Sequence, residues 1–138
     1  MPRSKRRLSR ATALQILCFV DLAKLDIETG INRYWACFES YGSDPEFANE
    51  MSRGVSASIE KLDAFLQGAS EHWRLERMPL VDRNLLRLAV YELWEKKDVP
   101  VRVVLNEAVE LAKLFGAENS PSFVNGVLDK IARELERS

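Results

Sequence analysis

The sequence predicts an all-α protein, because apolar residues recur at spacings of three and four, no segment alternates as a strand does, and glycine and proline fall singly between helix-length pieces. The expectation is six or seven helices joined by short turns. They form two small packed helical subdomains, about 1–70 and about 71–138, of a single domain of 138 residues. A chain of that length buries a core without disulfide or metal. Its 46% hydrophobic and 30% charged residues exclude a disordered chain.

The first helix is expected from about Arg6 to Leu25, with Ala11, Leu14, Leu17, Cys18, Leu22 and Leu25 as its buried stripe. Gly30 follows a break, and a short helix covers Ile31 to Phe38. Ser43-Asp44-Pro45-Glu46 is a helix start: a capping side chain, a proline where no backbone donor is missed, and an acid at the positive end of the dipole. One long helix follows, on the stripe Phe47, Met51, Val55, Ile59, Leu62 and Leu66, ended by Gly68. Leu85, Leu86, Leu88, Ala89 and Leu93 then predict a helix ending near Lys96. Val104, Leu105, Ala108, Leu111, Ala112 and Phe115 predict another, closed by Gly116 as a left-handed cap. Ser120-Pro121 opens the last helix, whose apolar face is Phe123, Val124, Val127, Leu128, Ile131 and Leu135.

Several function classes find no carrier. No apolar run approaches the roughly 20 residues of a membrane span, and Arg10, Thr12, Gln15 and Asp21 interrupt what would be a signal peptide's apolar segment. The expected location is the cytosol. Cys18 and Cys37 read as buried free thiols. The single histidine, His72, has no nucleophile at a telling spacing, and no glycine cluster forms a phosphate cradle. Glu107 and Glu110, with Lys113 beyond, read as a solvated helix face. No catalytic residue, metal site or cofactor is expected.

Charge is the informative feature. The formal net charge is -1, yet residues 1–10 hold Arg3, Lys5, Arg6, Arg7 and Arg10 and no acid, leaving 15 bases against 21 acids in the rest. Arginines at i, i+4 and i+7 on a helix repel one another and oppose the helix dipole, and an anion relieves both penalties. Phosphate suits them, since the guanidinium fork binds it bidentately and also stacks on unpaired bases. By themselves these residues say only that the chain binds a polyanion or carries a solubilising tail.

Three later stretches narrow this: Val81-Asp-Arg-Asn-Leu-Leu-Arg-Leu-Ala-Val-Tyr-Glu-Leu93, Asn106-Glu-Ala-Val-Glu-Leu-Ala-Lys-Leu-Phe-Gly116 and Phe123-Val-Asn-Gly-Val-Leu-Asp-Lys130. With Arg6-Arg7-x-x-Arg10, Ala13-Leu-Gln15 and Asp21, they resemble the NusB family of bacterial transcription antitermination factors over nearly the whole chain. The resemblance implies binding of boxA-type single-stranded RNA from ribosomal RNA leader transcripts. It also implies a heterodimer with NusE, a small-subunit ribosomal protein, within RNA polymerase antitermination complexes. Carried over residue by residue, it implies RNA contacts by Arg6, Arg7 and Arg10, with Gln15 reading a base edge, completed by the Asn119–Phe123 loop with Asn119, Ser122 and a stacking Phe123; Arg3 and Lys5 join them as members of the same basic run. It implies partner contacts by Cys18, Asp82 and Arg87, with cysteine at position 18 where the family usually has tyrosine.

Beside these roles, Asp82 also reads as a helix cap, Phe123 as core, Asn106 and Asn125 as ties between helices, and Gly126 as a point of close approach. Two other classes stay open. A NusB-like domain precedes the catalytic domain of one group of rRNA cytosine methyltransferases, but eight residues after Lys130 leave no room for a cofactor-binding sheet. A protein-binding helical module, as a homodimer, is the other.

Overall fold

The computed structural model describes residues 2–39, 42–69 and 74–135. Among the described residues there are seven α-helices and no strand: α1 Pro2–Ala23, α2 Ile27–Cys37, α3 Pro45–Ala57, α4 Ile59–Ala69, α5 Leu80–Glu95, α6 Val101–Phe115 and α7 Ser120–Glu134, with a 3-10 turn at Leu75–Arg77. His72 and Trp73 lie outside the described residues. The chain divides into two compact units, Met1–Ala57 and Ser58–Ser138.

That division falls well before residue 70. The single long helix expected after Pro45 is two helices, with Ser58 a turn between them. The apolar period runs on through Val55, Leu62 and Leu66, which are all buried, so it gives no sign of the break. The sign lies in Ser56-Ala-Ser58, because serine side chains compete with the helical backbone for its hydrogen bonds. Beyond the turn, α4 packs on α5 and α7 and so belongs to the second unit.

In the first unit α1 packs on α2 and α3. Ala13, Leu14, Ile16 and Leu17 meet a core that includes Ile31, Tyr34, Ala48, Met51 and Val55. Buried Ser9 joins two of the helices, its hydroxyl donating to the Lys5 carbonyl at 2.7 Å and accepting from the Asp44 amide at 2.7 Å. Asp44 is the cap of α3, its carboxylate accepting from the Glu46 and Phe47 amides at 3.1 and 3.4 Å.

Helix α1 ends earlier than its stripe suggested. Lys24 takes the left-handed conformation (φ 56°) and the Leu25 amide reaches back to the Val20 carbonyl at 3.1 Å, so Leu22 points to solvent. Helix α2 begins four residues sooner than predicted, because Asp26 caps it through the Thr29 amide and hydroxyl. Gly30 is therefore no break. It is buried inside α2, where a Cβ would run into Val20 Cγ2. Both cysteines are free, as expected, but Cys18 is half-buried and Cys37 is exposed.

In the second unit α5 packs against α4, α6 and α7. It is buried continuously from Asn84 to Leu93, as an axial helix must be. Gly116 has an extended backbone (φ −94°, ψ −172°), not the left-handed one expected. Its need for glycine is proximity: a Cβ there would sit 2.7 Å from Ser120 Cβ and Oγ and 2.9 Å from the Ala112 carbonyl. Five other residues depart from expectation. Asn106, Asn125 and Gly126 are exposed, with nothing within 4 Å of a Cβ at Gly126. Phe115 is exposed as well, and Glu107 is buried in the core of α6 and not on a solvated face.

Candidate nucleic-acid interface

The basic run forms the first turns of α1, a single helix of 22 residues. Its cations therefore stand at the positive end of the helix dipole, where each is disfavoured unless something negative approaches. The helix does not present them equally. Lys5 and Arg6 are exposed, Arg7 is half-buried, and Arg10 is only 7% exposed. Arg7 and Arg10 each have a partner within the protein. The backbone of Arg3 lies in α1. The side chain of Arg3 lies outside the described residues; of the others, Lys5 and Arg6 face outward with Arg7 beside them, while Ser9 and Arg10 are buried.

Arg6 is held in place. Its guanidinium carbon lies 4.1 Å from the centre of the Phe47 ring on α3, a contact of roughly 0.5–1 kcal/mol at an exposed site. It fixes the arginine without neutralising it, and leaves the charge available to an anion. Gln15, two and a half turns further along and so on the opposite side of α1, is exposed, and its Oε1 accepts from the Tyr34 hydroxyl at 3.1 Å. Burial pushes the Tyr34 hydroxyl above its ordinary pKa, so it stays a proton donor to Gln15 at neutral pH.

The Asn119–Phe123 group lies in the second unit. Asn119 precedes α7 and is exposed, and its side chain makes no capping bond. Its carbonyl accepts from the Phe123 amide at 3.2 Å and from the Ser122 hydroxyl at 3.3 Å. Ser122 is exposed and Phe123 half-buried. An amide, a hydroxyl and a partly open ring at one helix start suit hydrogen bonding and stacking to a base.

The positions expected to meet a protein partner are built differently. Asp82 is 4% and Arg87 8% exposed. Asp82 does not cap α5: it accepts from the Ser120 hydroxyl at 2.7 Å, and that oxygen accepts from the Ala117 amide at 2.9 Å. Arg87 clasps Asp63 on α4 with its fork, at 2.7 and 3.0 Å, and donates to Asn84 at 3.2 Å. Both side chains therefore point inward, joining α5 to α7 and α4. Asn84 is three residues from Arg87 and was legible as a helix neighbour; Asp63 carried no sequence signal, and Ser120 was legible as part of a helix start but not as a partner of Asp82. Sequence reasoning also passed over Phe47, taken as core alone, whose ring holds Arg6.

No described helix is long and apolar enough to cross a membrane, and among the described residues no group of three or more His, Cys, Asp or Glu is placed to hold a metal ion.

Comparison with known proteins extends over almost the whole chain. Residues 7–133 match the model of the NusB family. The transcription antitermination protein NusB of Anaeromyxobacter sp. (strain Fw109-5) is 48% identical over 132 residues, 95% of this chain and 92% of that protein. The structure of T. maritima NusB superposes with a TM-score of 0.85 at 37% identity, covering 94% of this chain and 91% of that one. A crystal structure of antitermination factors NusB and NusE in complex with dsRNA matches with a TM-score of 0.82 at 28% identity, covering 97% and 99%.

Proposed function

Because the chain belongs to the NusB family of non-enzymatic transcription antitermination factors, we propose that it binds boxA-type single-stranded RNA of ribosomal RNA leader transcripts. It does so in the cytoplasm as a heterodimer with ribosomal protein NusE, within RNA polymerase antitermination complexes. The two units serve as one RNA-binding domain. Lys5 and Arg6 supply exposed charge, with Arg3 and Arg7 beside them in sequence. Asn119, Ser122 and Phe123 offer base contacts from the second unit.

The observation that carries the RNA reading is the start of α1: a helix whose first ten residues hold five bases and no acid, with Arg6 fixed on Phe47. Arg10 acts from within, supporting the helix. Asp82 and Arg87 likewise shape the partner face from beneath, by fixing where α5 lies against α4 and α7. Cys18 offers less contact area than a tyrosine, so Cys18→Tyr raises affinity for the ribosomal partner.

The test is a titration of a short boxA-type RNA and a scrambled control, with and without the ribosomal partner, using wild type and Lys5→Ala/Arg6→Ala. The double variant loses affinity, and its dependence on salt flattens by about one unit of slope per phosphate contact removed. Equal affinity of the two proteins, at equal salt slope, overturns the reading.

A further inference from the structure

The turn between α6 and α7 is tied at one oxygen. Ser120 is fully buried, and its hydroxyl donates to the Asp82 carboxylate at 2.7 Å while accepting from the Ala117 amide at 2.9 Å. The Ser120 amide in turn donates to the Ala117 carbonyl at 3.0 Å. Gly116 presses on the same residue, with no room for a Cβ between them. Both arms of the turn therefore close on Ser120, and Ser120 is bonded to α5.

The groups this turn presents outward all lie within three residues of Ser120: Asn119 precedes it, and Ser122 and Phe123 follow. None of them supplies the tie. The Asn119 side chain makes no capping bond, α7 has no acid in its first turn, and the Ser122 hydroxyl bonds back to the Asn119 carbonyl. Asp82, at 4% exposed, is a costly way to fill a buried place, because a carboxylate taken from water needs partners that an apolar side chain does not. What it adds is direction. An acceptor at one point fixes where the hydroxyl stands, and with it the turn.

We propose that Asp82 and Ser120 are positioning residues for RNA. Acting through the turn, they hold Asn119, Ser122 and Phe123 in the arrangement that a base meets, whether or not the protein partner is bound. This rests on the RNA-binding reading above, and it gives Asp82, expected at the partner face, a part in base selection. Groups fixed before binding need no ordering when RNA arrives. Contacts to bases set sequence preference, whereas contacts to phosphate set register and general affinity. Loss of the tie therefore shows as lost selectivity.

The experiment titrates the full chain, with and without the ribosomal partner, with a boxA-type RNA and a scrambled control. Wild type, Ser120→Ala, Asp82→Ala, Asp82→Asn, Arg87→Ala and Lys5→Ala/Arg6→Ala are compared at a temperature where urea denaturation shows each to be folded. Ser120→Ala and Asp82→Ala weaken binding of the boxA-type RNA by about tenfold, the scale of one lost base contact. The control changes little, and the salt slope stays as in wild type. Asp82→Asn, which keeps an acceptor for the hydroxyl, remains within about twofold of wild type. Arg87→Ala, which costs the second unit more stability but leaves the turn tied to α5, keeps its selectivity. The Lys5/Arg6 pair weakens both RNAs and flattens the slope. Selectivity unchanged in Ser120→Ala, or lost as far in Arg87→Ala, overturns the positioning role and leaves the RNA reading standing. An Asp82→Asn protein as poor as Asp82→Ala overturns it too, since the acceptor is then not what matters. Wild type that binds both RNAs alike, with the Lys5/Arg6 pair weakened, removes this inference alone; wild type that binds neither, alone or with the partner, removes the RNA reading as well.

Discussion

At the positions expected to make contacts, the two units differ in where most of their charge lies, the buried Arg10 of the first unit apart. In the first, Lys5, Arg6 and Arg33 stand at the surface, and Arg6 lies over an aromatic ring. In the second, Asp82, Arg87, Glu92 and Glu107 are buried, and the first two are joined to Ser120, Asp63 and Asn84 by short hydrogen bonds. An exposed cation without a carboxylate contributes little to folding and is free to bind. A buried charge with a full set of partners fixes helix against helix, and its removal leaves a partner stranded.

That contrast is most exposed to failure at Arg87. Arg87→Ala strands Asp63 and Asn84 and lowers unfolding free energy by about 3 kcal/mol, read from urea denaturation. Arg87→Lys recovers little, because an ammonium cannot make the two-pronged contact. A loss below about 0.5 kcal/mol would remove the distinction between the units. Next comes Ser120→Ala, which takes the donor from buried Asp82 and the acceptor from the Ala117 amide; about 2 kcal/mol is expected, visible as a lower thermal midpoint.

Gly30→Ala sharpens the comparison from the other side, since the first unit also contains one tight contact. The added Cβ meets Val20, a stiff branched side chain, at a cost of about 1–2 kcal/mol. Val20→Ala in the same chain returns most of it, and a strictly additive pair would place the strain elsewhere. Arg6→Ala costs less than about 1 kcal/mol of stability while weakening RNA binding, a split that calorimetry and titration on one sample display.

The smallest effect is on pH. Glu28 accepts both prongs of Arg53 at 2.7 and 2.9 Å, and that hydrogen bonding holds its carboxyl below the ordinary carboxylate range. The Thr29 hydroxyl does the same for Asp26. Each folded value is depressed, so the contribution is complete above the ordinary carboxylate pKa and disappears as pH falls through the lowered one. Glu28→Gln accordingly flattens the acid limb of the stability profile and leaves neutral pH nearly unchanged.

Much of the fold was legible because burial follows the helical period: Leu14, Met51, Val55, Leu62, Leu66, Leu111, Val124 and Ile131 sit inside as their spacing required. What escaped depends on partners far along the chain. Nothing local tells that Arg10 and Glu107 are buried while Leu22 is exposed, because the neighbouring helix decides it. Gly30 and Gly116 were recognised as special but for the wrong reason, each being required by an approaching side chain and not by a turn. Of the site, residue types were legible and orientation was not. The basic run was plain, whereas the inward aim of Asp82 and Arg87 required Ser120 and Asp63 to be known.

The turn at Ser58 has a consequence for how the molecule is made. Each unit is one uninterrupted stretch of chain, so the whole of the first, with its basic helix, leaves the ribosome while the second is still being translated. Domains generally fold as units, the N-terminal one first. At 57 residues the first is near the size at which a core alone barely suffices. The Asp26 and Asp44 caps, the Ser9 link to α3 and the Arg53–Glu28 clasp all lie within that first stretch. A nascent chain thus contains both partners of each of these ties before α5 has been synthesised.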